Sequence, residues 1–93
     1  MQPIQHLRTI LQNPIFQENL YHLAIRRTEF IIKDTKFIFS NSNSLFFLQR
    51  ESPRFAQPTV LNLNDRWQVT KHEDTEEANQ AISILVELVL RFK

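Results

Sequence analysis

The sequence predicts an α+β domain: two short N-terminal helices, an antiparallel meander of four to five strands, and a long C-terminal helix packed on the sheet. Three observations predict it. Apolar residues recur at offsets of three and four near both ends of the chain. From Thr28 the texture changes to short β-branched and aromatic runs. The breaks between most of those runs are short enough for hairpins, so an antiparallel meander is the economical topology.

Pro3 suits the first turn of a helix that places Ile4, Leu7 and Leu11 on one face. Asn13-Pro14 then breaks and restarts the chain. Asparagine accepts from first-turn amides, and proline at the first helical position lacks only an N–H that would have no partner there. Phe16, Leu20, Leu23 and Ala24 follow at helical spacing, although Tyr21, Leu23 and Ile25 also alternate as a strand would.

TEFIIK (28–33), KFIFS (36–40) and LFFLQR (45–50) are the first three strands. Phe30 and Ile32 share one face, as do Phe37 and Phe39, with Lys36, Ile38 and Ser40 opposite. Asp34-Thr35 and residues 41–44 are the expected turns. ESPRFAQP (51–58) is an expected loop, since Pro53 and Pro58 each lack a ladder donor. TVLNLN and RWQVT complete the meander around a turn at Asn64-Asp65.

At the last helix Asp74 is the expected cap, with Glu77 reaching back three residues later. Ala78, Ala81, Ile82, Leu85, Leu88, Val89 and Phe92 form one face, flanked by Ile84, Val86 and Leu90. The polar remainder, Gln80, Ser83, Glu87 and Arg91, spans only roughly 80°. A helix lying on one sheet needs an apolar arc of little more than about 100°. A second surface must therefore cover this one, either the N-terminal helices or another subunit.

Composition removes several classes of function. Ninety-three residues make one domain, 1–93, and 42% hydrophobic with 23% charged residues is the balance of a folded chain rather than a disordered one. The absence of cysteine excludes disulfides, thiolate metal sites and cysteine nucleophiles. The absence of glycine excludes phosphate-cradling glycine loops and a Gly-x-Ser-x-Gly elbow. Positive-φ positions should then fall to asparagine, Asn41 or Asn43 between the second and third strands. The N-terminal stretch does not read as a signal peptide, and the apolar run near Ile84 to Leu90 is too short for a membrane span. The expectation is a cytoplasmic protein that does not engage membranes.

No residue pattern specifies catalysis, a cofactor or a metal. His72 beside Glu73, Asp74, Glu76 and Glu77 reads as helix-start electrostatics, because near-consecutive residues do not converge on an ion. The expected function is a small non-enzymatic protein-interaction module, either a homodimer or an adaptor or regulatory subunit docking on a larger protein. Apolar groups on both strand faces support this. Phe46 and Phe47 are neighbours on one strand and face opposite sides, so one ring needs cover beyond the helix layer. Phe46, Phe47, Ile84, Val86 and Leu90 are the candidate partner-binding residues. The alternative is a nucleic-acid-associated regulator using Arg26, Arg27, Arg50, Arg54, Arg66 and Lys71 beside aromatic strands. A net charge of +1 gives that alternative no whole-protein field.

Overall fold

The computed structural model describes residues 1–51 and 58–93. The chain runs α1 (Pro3–Ile10), α2 (Pro14–Ile25), β1 (Thr28–Ile32), β2 (Thr35–Ser42), β3 (Leu45–Glu51), β4 (Thr59–Leu63), β5 (Val69–His72) and α3 (Glu76–Leu90). The strands pair in chain order as one antiparallel five-stranded sheet, which is the expected meander with its fifth strand present. Arg54 and most of the expected 51–58 loop lie outside the described residues.

Local chemistry sets the helix ends. The Asn13 side chain accepts from the Ile15 amide at 2.9 Å, with Pro14 in the first turn, so helix prevails over strand in this segment. At α3 the cap is Thr75, whose side chain accepts from the Ala78 amide at 3.2 Å, and not Asp74 as the sequence suggested. Asp74 instead accepts from the Asn79 carboxamide, and Glu77 is drawn to the Arg50 guanidinium rather than back to the cap. A charge-assisted bond at a buried cation outcompetes a capping contact at the surface.

Turn chemistry in a glycine-free chain differs from expectation. The first hairpin turns through Lys33-Asp34, with Ile32 opposite Thr35, and the second through Asn43-Ser44, with Ser42 opposite Leu45. Asn43 takes a positive φ as expected, but so do Ser44 (66°), Lys33 (54°), Arg27 (53°) and Trp67 (63°), while Asn41 stays in β2. Two left-handed residues in a two-residue loop suit the right-handed twist of the flanking strands. Because side-chain-bearing residues dislike this region, Ser44→Gly should stabilise the protein by about 0.5–1 kcal/mol after glycine's own entropy cost. A rise in melting temperature of roughly 3 °C or more would show it, whereas a fall would contradict it.

Phe37, Phe39, Phe46, Leu48, Leu61 and Leu63 form the buried inner face of the sheet. A register shift after Leu48 lets consecutive Val60 and Leu61 both reach the core, which alternation alone forbids. A second shift at Thr70 precedes the end of β5. The strand read as RWQVT begins only at Val69, because Trp67 has left extended geometry. Helices α2 and α3 pack on the sheet's inner face, and α1 packs on α3. Ile4, Leu7, Ile10 and Leu11 join Ala81, Ile82, Leu85 and Val89 in one core. Of the two covers expected for the over-wide apolar arc of α3, the N-terminal helix is the one observed.

Candidate functional site

Two of the five candidate partner-binding residues belong to the protein's own interior. Phe46 faces inward on β3 and Val86 is buried on α3, so neither offers a surface. Ile84 is half-buried, Leu90 is 44% exposed, and Phe47, half-buried, points away from the helix layer. The Phe46-Phe47 reading is thereby resolved: the first ring is core and the second is on the open face.

That open face can be built from the register. Glu29, Ile38, Gln49 and Thr59 form one cross-strand row; Ile31, Lys36 and Glu51 form the next; Ser40, Phe47, Asn62 and Lys71 form a third. Ile31, Ile38 and Phe47 therefore lie on a diagonal across β1, β2 and β3, close enough for neighbouring side chains to touch. Leu45, 41% exposed, extends the stripe along β3. Ile31 is 65% exposed. Among the described residues no helix packs on this face. Lys36 stands 3.3 Å from Glu29 and 3.7 Å from Glu51, and these contacts, Glu29 first, raise its pKa and keep it charged. The strand positions of the face carry Glu29 and Glu51 against Lys36 and Lys71, so their charges balance.

Arg50 turns inward at the far end of β3 and is not a surface cation. Its side chain is 6% exposed. The guanidinium donates to Glu77 from Nε at 2.6 Å and to Glu73 from Nη1 at 2.9 Å, with Nη2 also on Glu73. Thr75 donates its hydroxyl to Glu73 at 2.7 Å. These bonds hold Glu73 below the ordinary carboxylate range, Arg50 being the main cause and burial opposing it, and they raise Arg50 further. The cluster fastens β3 to the segment leading into α3. It explains why this arginine occupies a core-facing position and withdraws it from any phosphate.

The other described candidate nucleic-acid residues do not gather on one surface. Arg26 and Arg27 sit at the end of α2 beside edge strand β1, with the Arg26 guanidinium 4.7 Å from the Phe92 ring centre. Lys71 is on β5, the opposite edge, four strand spacings or roughly 19 Å across the sheet. Arg66 lies on the β4–β5 connection. Among the described residues no group of three or more His, Cys, Asp and Glu could hold a metal ion, and no helix is long and apolar enough to cross a membrane.

The β4–β5 connection is the feature that sequence reading missed. The Asn64 carboxamide oxygen accepts from the Arg66 and Gln68 amides at 2.9 and 3.0 Å, and the Trp67 amide donates to the Asn64 carbonyl at 3.0 Å. This tight loop swings the Trp67 indole onto Phe46, ring centres 4.5 Å apart. A left-handed conformation costs a bulky residue about 1–2 kcal/mol, a cost that the Asn64 bonds and the aromatic stack offset. The Asn64-Asp65 turn was legible; its consequence for the tryptophan was not.

No protein-family model, curated protein or solved structure matches the chain.

Proposed function

We propose that this protein is a small, non-enzymatic interaction module whose open sheet face docks on a protein partner, and that the partner is a second copy of the chain. The observation that carries the reading is the Ile31–Ile38–Phe47 diagonal, three apolar residues on adjacent strands of the face away from the helices, with the Lys36–Glu29 ion pair crossing between Ile31 and Ile38. Antiparallel sheets are often solvated on one face, but that face then alternates to polar residues. Here the polar alternation fails on three adjacent strands, at Ile31, Ile38 and Phe47.

A second copy is favoured by charge. The balanced face neither repels itself nor attracts a strongly charged partner, and a two-fold axis lets one stripe lie on its equivalent. The same balance, together with the burial of Arg50 and the separation of Arg26 and Arg27 from Lys71, weighs against nucleic acid on this face.

Size sets the strength. Five strands about 4.8 Å apart and about six residues long give a face of roughly 24 by 20 Å, on the order of 500 Å². Two such faces bury roughly 1,000 Å², the lower bound for a specific interface. The dimer is therefore weak and concentration-dependent, with a dissociation constant in the micromolar range or above.

In sedimentation equilibrium the mass should rise from monomer toward dimer as concentration reaches the millimolar range. Replacing Ile38 and Phe47 together by threonine preserves strand preference while removing the stripe. That variant should dimerise about tenfold or more weakly with an unchanged circular dichroism spectrum. A wild-type protein that stays monomeric throughout, or a variant that associates equally well, would overturn the reading.

A further inference from the structure

Trp67 also lines a cleft of about 440 Å³ between the end of α1 and the β4–β5 connection, on the helix side of the molecule and away from the proposed docking face. Leu11 and Val69 give it apolar wall, Gln12 and Gln68 contribute carboxamides, and Arg8 and Arg66 bring two guanidinium groups from separate elements. No acidic residue lines it. Among the described residues neither arginine has a carboxylate partner, unlike Arg50, which is paired with Glu73 and Glu77. The volume falls in the range of small-molecule sites, roughly 300–1,000 Å³.

Two features show that the ring is held in place. Its backbone is left-handed at φ 63°, a conformation a bulky residue rarely adopts, and the stack on Phe46 fixes the indole. Strained backbone of this kind concentrates where a side chain must be presented in one orientation. Trp67 thus gives the cleft a fixed aromatic wall beside two cations.

We propose that this cleft binds a planar heteroaromatic ring carrying a phosphate group, the chemistry of a nucleotide. The ring lies against Trp67 and the apolar wall, the carboxamides meet its polar edge, and Arg8 and Arg66 hold the phosphate. Guanidinium forks match phosphate oxygens, and base–aromatic contact tolerates any base. With no glycine in the chain, side chains rather than a glycine-lined backbone loop must supply the anion's donors. The site is independent of the sheet-face reading, since it shares no residue with it.

The chain's single tryptophan gives one indole N–H resonance, so a ¹H–¹⁵N titration reads the site directly. Adenosine monophosphate should shift that resonance saturably, and adenosine should bind about tenfold or more weakly. Arg8→Gln and Arg66→Gln should each weaken the nucleotide about fivefold or more, with the amide spectrum otherwise preserved. A 5′-phosphorylated single-stranded oligonucleotide separates the sources. Tighter binding than the mononucleotide assigns the cleft to a nucleic-acid end, and equal or weaker binding to a free nucleotide; both sustain the proposal. An indole resonance unmoved by millimolar mononucleotide, adenosine binding as well as its phosphate, or arginine variants binding like wild type would each overturn it.

Discussion

Replacing Glu73 and Glu77 together by glutamine should destabilise the protein by about 3–5 kcal/mol, the range for breaking a buried ion pair from one side. The direction of the truncation matters. The Arg50 side chain is 6% exposed, whereas Glu73 and Glu77 are 27% and 34% exposed. Removing the carboxylates leaves a buried cation facing amides. Removing the arginine, as in Arg50→Met, leaves two carboxylates that water can reach and a side chain of similar length in an apolar setting. Arg50→Met should therefore cost less than the double glutamine variant. Urea unfolding of both variants checks the order, and equal costs would contradict the asymmetry.

The same cluster has a pH signature. The Glu73 pKa is depressed below its ordinary value of 4.5, chiefly by Arg50 and despite burial. Between the folded value and 4.5 the unfolded chain binds more protons, so stability rises with pH across that window. The contribution is complete above the ordinary value and is lost as pH falls through the folded one. In the double glutamine variant this part of the acid dependence should disappear.

Phe46→Ala should cost about 3–5 kcal/mol, as for other large aromatic-to-alanine changes in a core. A chain of 93 residues has a stability of about 5–14 kcal/mol, so the variant approaches the unfolding threshold. Phe46 is an aromatic junction as well as a filler. Its ring stacks on Trp67, lies 6.4 Å from Phe39 and meets Tyr21 edge-on at 6.2 Å. The loss should also free the indole and change its fluorescence in the folded state. A cost near 1 kcal/mol, with unaltered fluorescence, would place Phe46 outside the core.

The fold was legible because periodicity speaks clearly over whole elements. Asn13-Pro14 marked a helix start, and the Phe37/Phe39 alternation marked an inner face; both survive in the structure. What failed were features that depend on partners distant in sequence. Thr75 displaced Asp74 as the cap because Glu77 answers to Arg50, 27 residues away. Arg50 read as a surface cation because alternation places it on Phe46's face without saying that carboxylates wait there. Val86 read as surplus because nothing local shows α1 folding back over α3, and Phe46 because alternation does not say which of Phe46 and Phe47 meets the helices.

The candidate surface was half legible. Alternation required one ring of the Phe46-Phe47 pair to face away without saying which, and it placed Ile38 opposite Phe37 and Phe39. The diagonal joining them required the cross-strand register, which depends on where two-residue turns close without glycine. The Trp67 cleft was not legible, because a left-handed tryptophan is a property of the Asn64 bonds around it.

Amide chemical shifts followed from dilute to concentrated protein locate the self-association surface residue by residue. Concentration-dependent shifts should be confined to β1, β2 and β3, largest around Ile31, Ile38 and Phe47, and abolished by the Ile38→Thr/Phe47→Thr pair. Shifts centred instead on exposed Ile15, Tyr21 and Ile25 of α2, or no shifts at any concentration, would contradict it.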